Sequence, residues 1–137
     1  MLTVYSQLEA ISRRGVARNR RESAPLTVVQ HTLLTFIAAT PACRAIDIAQ
    51  ALRLNRSTVS RQVADLFELG LVRNATDDES EGGRGQILLL TERGAAMLET
   101  SLRANQIELA RRLADWTDDE IDRLANDLTR FNDADPA

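Results

Sequence analysis

Apolar residues recur every three or four positions along most of this chain, a spacing that predicts amphipathic helices. The first helix is predicted over residues 2–22, and the second begins after Thr27, whose hydroxyl can cap it. A third helix is predicted over residues 44–52. The fourth begins at an Asn55 cap and ends at Gly70, because glycine readily takes the left-handed conformation that closes many helices. The first half of the chain is therefore predicted to be mostly helical.

Two short strands interrupt the helical pattern in the middle of the chain. Residues 71–72 open the first strand and residues 86–90 form its partner, so the polar segment 75–85 is predicted to be the irregular tip of a β-hairpin. Thr91 then caps a long fifth helix, and Thr117 begins a capping box that opens a sixth. The hairpin directly follows the third and fourth helices, which are joined by a tight turn as in a helix-turn-helix. The predicted fold class is therefore mainly α with a small β-hairpin, the wing of a winged helix-turn-helix.

The predicted core lies on the inward faces of the second and fourth helices. Its members share helical spacing and are Val29, Leu33, Phe36 and Ile37, then Val59, Val63 and Leu66. The first, fifth and sixth helices carry further apolar stripes, which comprise Val4, Tyr5, Leu8 and Ile11; Ala95, Leu98, Leu102, Leu109, Leu113 and Trp116; and Ile121, Leu124, Leu128 and Phe131. A homodimer that buries these terminal helices against a second copy of the chain would cover the stripes. It would also place two copies of the fourth helix side by side.

Composition narrows the class of protein. The 137 residues are 44% hydrophobic and 27% charged, which is ordinary for a folded domain. No apolar run approaches the ~20 residues that span a bilayer, so no membrane association is expected. The N-terminus lacks the apolar core of a secretion signal, and one cysteine cannot form an internal disulfide. A cytoplasmic location is therefore expected.

The charges are distributed unevenly along the chain. All 17 basic residues are arginines, and ten of them against five acidic residues give residues 1–74 a net charge of +5. Seven arginines against fifteen acidic residues give residues 75–137 a net charge of −8. This separation of charge suits a protein that contacts DNA with one surface. Equally, the acidic residues can simply form the ordinary solvent-exposed faces of their helices.

The fourth helix carries the clearest candidate chemistry. With the third helix and the tight turn before it, it forms a helix-turn-helix pattern, in which the second helix enters the major groove of DNA by its N-terminal end. The candidate DNA-binding residues at that end are Asn55, Arg56, Ser57, Thr58, Ser60 and Arg61. Arg61 is placed to read a guanine, whereas Arg56 and, on the first strand, Arg73 are expected to contact phosphates. The alternative is that Ser57 and Thr58 only cap the helix and that Arg61 is solvated.

Four segments in order resemble those of the MarR family (multiple antibiotic resistance regulators). They are Leu26-Thr27 with Gln30; Ile48-Ala49 with Leu52; LNRSTVSRQV at 54–63 with LFELGLVRN at 66–74; and LLLTERG at 88–94. The resemblance implies a dimeric winged-helix regulator that binds pseudo-palindromic double-stranded DNA, represses nearby genes and is released by a small, often aromatic, ligand. It implies a single domain over residues 1–137, which comprises a winged core at 27–91, dimerisation helices at 1–24 and 92–132, and a tail at 133–137.

The predicted wing departs from the pattern of the family. Relatives usually carry an acidic residue two positions before an arginine, and Arg84 occupies the position of that arginine. The acidic position falls on Gly82, with Glu81 as its neighbour. Arg84 is expected to reach into the minor groove, where narrow A·T tracts attract arginine, unless the tip is disordered. The acidic residues at 77–79 would repel phosphates unless they point away.

A few residues are candidates for small-molecule chemistry. The family pocket is expected between the dimerisation helices and the core, where His31, Tyr5 and Phe36 are candidate ligand-binding residues, although aromatic side chains there are more often core. Cys43 lies beside Arg44 before the third helix, where a cation and a helix N-terminus can lower a thiol pKa. A small, partly buried cysteine is the favoured interpretation. No cluster has metal-ligand spacing, so neither a metal nor a cofactor is expected.

The sequence therefore favours a sequence-specific DNA-binding transcriptional regulator, a cytoplasmic bacterial repressor that joins the nucleoid when bound and responds to a small effector. The alternative is a winged-helix dimer that acts as a protein-interaction module after its DNA binding has lapsed. The acidic wing and the acidic isoelectric point favour that alternative. It is opposed by the arginines expected where DNA would lie, which are Arg56, Arg61, Arg73 and Arg84. An enzyme is not indicated, because the chain has no Ser/His/Asp constellation and no phosphate-binding glycine loop.

Overall fold

The computed structural model describes residues 1–19, 25–75 and 86–134. Within these residues, six helices and one antiparallel hairpin follow one another in the predicted order. The helices are α1 (Leu2–Asn19), α2 (Val28–Ala39), α3 (Ala45–Ala51), α4 (Arg56–Glu68), α5 (Glu92–Arg112) and α6 (Asp118–Asp133). Strand β1 (Val72–Asn74) pairs with β2 (Leu88–Leu90), so that Val72 lies opposite Leu90. The predicted fold class is confirmed.

The chain divides within α5 into two compact units, Met1–Leu102 and Arg103–Ala137. The first unit holds the hydrophobic core, to which α2, α3, α4 and both strands contribute. Its largest fully buried side chains are Leu33, Leu34, Ile48, Val59, Leu66, Leu71 and Cys43. The second unit contains the end of α5, a turn at residues 113–115 and α6. None of the described helices is both long and apolar enough to cross a membrane.

One predicted core position of α2 is wrong. Leu33 and Ile37 are buried as predicted and Phe36 packs against the core, but Val29 is 39% exposed and Leu34 is buried in its place. The buried face is centred among Leu33, Leu34 and Ile37, and at 3.6 residues per turn Val29 lies about 90° from that centre. Spacing by four residues from Leu33 is therefore not sufficient to bring Val29 into the core.

Local hydrogen bonds fix the helix ends that the sequence indicates. At the start of α2 the Gln30 amide donates to the Thr27 hydroxyl at 3.1 Å, and the Thr27 amide donates to the Gln30 side chain at 3.0 Å. At the end of α4 Gly70 adopts a φ of +73°, and the Leu71 amide donates to the Leu66 carbonyl at 2.9 Å. The predicted cap of α2 and the predicted glycine stop of α4 are both confirmed.

The boundary between α5 and α6 differs from the prediction. The predicted stripe of the fifth helix continued through Leu113 and Trp116, but α5 ends at Arg112, and both residues lie between the helices. The Glu120 amide donates to the Thr117 hydroxyl at 3.2 Å, and the Thr117 amide donates to the Glu120 carboxylate at 3.0 Å. The predicted capping box thus begins α6, because its first residue, Thr117, takes an extended conformation that α5 could not include.

Candidate nucleic-acid interface

Helix α4 has one packed face and one exposed face. Val59, Val63 and Leu66 are at most 7% exposed, which confirms the predicted inward stripe. The first half of the helix exposes the polar side chains of Arg56, Ser57, Ser60 and Arg61, and Thr58 is half-buried. Aliphatic packing therefore holds the helix in place while its N-terminal half presents hydrogen-bonding and basic groups outward.

Asn55 determines which hydrogen-bond donors and acceptors the N-terminal end of α4 presents outward. Its Oδ1 accepts hydrogen bonds from the Ser57 amide at 3.1 Å and from the Ser57 hydroxyl at 2.5 Å, so Asn55 is the predicted cap of α4. Because the hydroxyl proton of Ser57 is committed to Asn55, its oxygen presents only lone pairs outward, and Asn55 presents its amide N–H groups. The first turn therefore offers an acceptor beside a donor, which is the complement of a base edge in the major groove.

The charges along α4 run against the helix dipole. Arg56 lies in the first turn and Arg61 follows it, whereas Asp65 and Glu68 lie in the last turn. Acidic side chains near the N-terminus and basic ones near the C-terminus each stabilise a helix by about 0.3–1 kcal/mol, so the observed order is destabilising. Helix stability does not account for arginines at this end, whereas attraction of a polyanion does.

The strand and wing residues are only partly within the described structure. Arg73 is exposed on β1, and its Nη1 donates to the Asn74 carbonyl at 3.3 Å. Arg84, Gly82, Glu81 and the acidic residues 77–79 lie outside the described residues. The contacts predicted for the wing tip therefore stay predictions, and Arg73 is the described arginine nearest to the wing in sequence.

The residues predicted for ligand binding lie on two helices of the first unit. Tyr5 is 66% exposed on α1, and Phe36 on α2 packs against the core. His31 Nδ1 lies 2.8 Å from the Ser101 hydroxyl, and this hydrogen bond joins α2 to α5. Ser101 is 4% exposed, and no other buried polar side chain occurs in the described ranges. Sequence reasoning missed Ser101, although a spacing of seven residues from the buried Gly94 indicates one helix face.

Cys43 is a core residue in this structure. It is fully buried, and burial raises the pKa of its thiol above the ordinary value, with the negative charge of Asp47 adding to the effect. The lowered pKa suggested by its position beside Arg44 is therefore wrong, because burial is the largest effect on the thiol pKa and raises it. Cys43 is a small core residue, as favoured, but it is fully rather than partly buried. Among the described residues, no group of three His, Cys, Asp or Glu side chains could hold a metal ion.

Known proteins resemble this chain in sequence and in architecture. A MarR family model matches residues 24–80. An HTH-type transcriptional regulator of Mycobacterium bovis is 32% identical over 113 residues, which cover 81% of this chain and 78% of that protein. The crystal structure of the transcriptional regulator SlyA superposes with a TM-score of 0.76 at 23% identity, and the alignment covers 95% of this chain and 92% of the SlyA chain. A MarR family regulator from Listeria monocytogenes was solved in complex with 26mer DNA. It superposes with a TM-score of 0.75 at 21% identity, over 94% of this chain and 86% of that chain. The chain therefore belongs to the MarR family of winged helix-turn-helix transcriptional regulators, which are not enzymes.

Proposed function

We propose that this protein binds double-stranded operator DNA as a homodimer, with the N-terminal half of α4 in the major groove, and represses the genes beside that operator. The observation that carries the proposal is the exposed polar face of α4, which presents Arg61 and, in the first turn against the helix dipole, Arg56. The Listeria monocytogenes relative with this fold was crystallised with DNA, which supports the same use of the fold here.

Each candidate side chain has a distinct role in the proposed complex. Arg61 lies beyond the first turn and pairs with a guanine, which is worth ~1–3 kcal/mol of discrimination against another base. Ser57 accepts a hydrogen bond from a base amino group, and Ser60 contacts the adjoining base or sugar. Arg56 and Arg73 neutralise phosphates and add salt-dependent affinity without sequence preference.

The proposed dimer follows from apolar side chains that the single chain leaves exposed. These side chains are Leu2, Val4, Tyr5, Leu8 and Ile11 on α1; Leu102, Ile107 and Leu109 on α5; and Leu128 and Phe131 on α6. Soluble monomers rarely expose so many large apolar groups, whereas homodimer interfaces bury them. A two-fold dimer presents two copies of α4 to half-sites about 34–36 Å apart, so the operator is expected to be a pseudo-palindrome.

Release by a small effector is the regulatory part of the proposal. His31 is half-buried and already hydrogen-bonded to Ser101, so a phenol or a carboxylate that binds the imidazole would compete with that bond. Phe36 and Tyr5, the other two candidate ligand-binding residues, would supply aromatic surface to such a ligand. A panel of small aromatic acids and phenols, added to the preformed complex with DNA, is expected to contain a compound that lowers operator binding.

Fluorescence anisotropy with the upstream promoter DNA of the gene and a scrambled duplex tests the proposal. Wild-type protein is expected to bind the promoter much more tightly than the scrambled DNA at physiological salt. Arg61→Ala is expected to weaken promoter binding by about 5- to 150-fold more than scrambled binding, which corresponds to the ~1–3 kcal/mol of a guanine contact. Arg73→Ala is expected to weaken both alike and to reduce the salt slope by about 1. Arg123→Ala, which removes an exposed arginine of α6, is the matched control and leaves both affinities unchanged.

The outcomes separate the two candidate functions. Equal losses on both duplexes for Arg61→Ala would refute its role in base reading while leaving DNA binding intact. A pre-bound ligand would also hold the protein in its released state, so the protein is first unfolded, dialysed and refolded to remove any such ligand. Weak and equal binding of both duplexes by this wild-type protein would refute the operator-binding proposal and favour the interaction module.

A further inference from the structure

The end of α4 and the start of α5 meet at one hydrogen-bonded junction. The Thr91 hydroxyl donates to the Gly70 carbonyl at 2.6 Å and accepts a hydrogen bond from the Gly94 amide at 2.9 Å. The Thr91 amide donates to the Leu71 carbonyl at 3.1 Å. The residue that caps α5 therefore also holds the two carbonyl groups that follow the end of α4.

Close backbone contact makes this junction stiff. Gly94 is buried in the first turn of α5, and a Cβ atom at that position would overlap the Leu71 carbonyl oxygen and lie 2.9 Å from its carbon. Leu71 is 2% exposed, and its amide donates to the Leu66 carbonyl within α4. At this point the backbone of α5 therefore packs directly on the backbone of Leu71, and close packing of this kind leaves little room for either segment to shift.

We infer that Thr91 is a positioning residue for the recognition helix. Through the Gly70 carbonyl it fixes α4 to the first turn of α5, so α4 and that turn move as one body. This inference rests on the proposed DNA-binding role of α4. If the junction loosens, α4 occupies several orientations in the free protein, and only the fraction with the correct orientation binds the operator.

The length of α4 amplifies small errors at the junction. Its 13 residues span about 20 Å, so a tilt of about 3° at the Gly70 end moves the Asn55 end by about 1 Å. A displacement of that size takes a base-edge hydrogen bond out of its favourable range. Phosphate contacts depend less on geometry, because arginine side chains are long and the attraction is largely Coulombic. A loose junction is therefore expected to reduce specific binding more than non-specific binding.

Three substitutions of Thr91 separate its role as a cap from its role as a link. Thr91→Ser keeps the hydroxyl and both hydrogen bonds. Thr91→Asp keeps an acceptor for the Gly94 amide, since aspartate is a good helix cap, but has no proton to donate to the Gly70 carbonyl. Thr91→Val removes both interactions at nearly constant volume. A residue that acts only as a helix cap would tolerate Thr91→Asp as well as Thr91→Ser.

The test combines DNA affinity with amide hydrogen exchange on the full chain. We expect the ratio of operator to scrambled affinity to fall by about tenfold in Thr91→Asp and Thr91→Val and to stay at the wild-type value in Thr91→Ser. The ratio cancels the general repulsion between DNA and an added carboxylate, because both duplexes experience it. In the free proteins, Gly70 and Leu71 amides are expected to exchange faster in the Asp and Val variants, at a temperature where circular dichroism shows them folded.

Two results would overturn the inference. One is a wild-type affinity ratio in the folded Thr91→Asp variant. The other is unchanged exchange at Gly70 and Leu71 in both Thr91→Asp and Thr91→Val. Failure of the wild-type protein to discriminate the operator refutes the proposed function instead, and the exchange rates then decide by themselves whether Thr91 links α4 to α5.

Discussion

Replacing Gly94 by alanine tests the close approach of α5 to the turn that follows α4. The added Cβ would overlap the Leu71 carbonyl oxygen and would lie 2.9 Å from the carbonyl carbon and 3.2 Å from the Cα atom of the same residue. Leu71 cannot easily move, because it is 2% exposed and its amide is bonded to the Leu66 carbonyl. The first turn of α5 must therefore shift away, which lengthens both hydrogen bonds from Thr91.

Three terms set the expected size of the effect. Overpacking a rigid site costs about 1–3 kcal/mol, and weakening two hydrogen bonds costs about 0.5–1.5 kcal/mol each. Alanine recovers about 1 kcal/mol, because it favours the helix more than glycine does. The net expectation is a loss of about 3 kcal/mol in the free energy of unfolding, which lowers the melting temperature by about 10 °C for a chain of this size.

Gly15→Ala is the matched control on α1. Its Cβ would meet Val28 Cγ2 at 3.6 Å, an ordinary van der Waals contact, so only the helix preference acts and the melting temperature is expected to rise by about 2–5 °C. Thermal unfolding followed by circular dichroism, at one protein concentration for all variants, measures both changes. A Gly94→Ala variant that melts at or above the wild-type temperature would refute the requirement for a bare Cα at this position.

Two further predictions concern the helix caps. Asn55→Ala is expected to lower the free energy of unfolding by about 1 kcal/mol in urea titrations, because the Ser57 amide loses its acceptor. Asn55→Asp is expected to keep the cap but to weaken DNA binding, because its carboxylate faces the phosphates. Equal stability of the wild type and Asn55→Ala would contradict the role of Asn55 as a cap. Hydrogen bonds from the Thr117 amide and then from its side chain lower the pKa of Glu120 below its ordinary value of 4.5. The charged Glu120 therefore stabilises α6 at pH values above the ordinary pKa of 4.5. This stabilisation is lost as the pH falls through the lowered pKa of the folded protein. The difference in melting temperature between wild type and Glu120→Gln is expected to shrink below about pH 4.5, and a difference independent of pH would rule this out.

Local chemistry explains which parts of the fold the sequence predicts. The caps at Thr27, Asn55 and Thr117 and the stop at Gly70 depend on hydrogen bonds and backbone angles within a few residues, and all four are confirmed. The inward face of α4 is also predicted correctly, because Val59, Val63 and Leu66 recur at helical spacing among mostly polar residues. The exposure of Arg56 and Arg61 follows from the same periodicity.

Non-local packing explains the rest. On α2 apolar side chains compete for one face, so the choice of Leu34 over Val29 depends on which neighbours they meet. His31 and Ser101 are 70 residues apart in sequence, and nothing local to either residue indicates the hydrogen bond between them. Burial rather than the adjacent arginine controls the pKa of Cys43, and burial is a property of the completed core.

The chain contains one cysteine and one tryptophan, and they lie in different compact units. Cys43 is fully buried in the first unit, so a thiol reagent can reach it only when that unit opens. Trp116 belongs to the second unit, where the fluorescence of its indole reports the state of the chain around it. The native sequence thus carries a chemical probe for one unit and an optical probe for the other. Whether the two units unfold in a single transition can therefore be measured on the unlabelled wild-type protein.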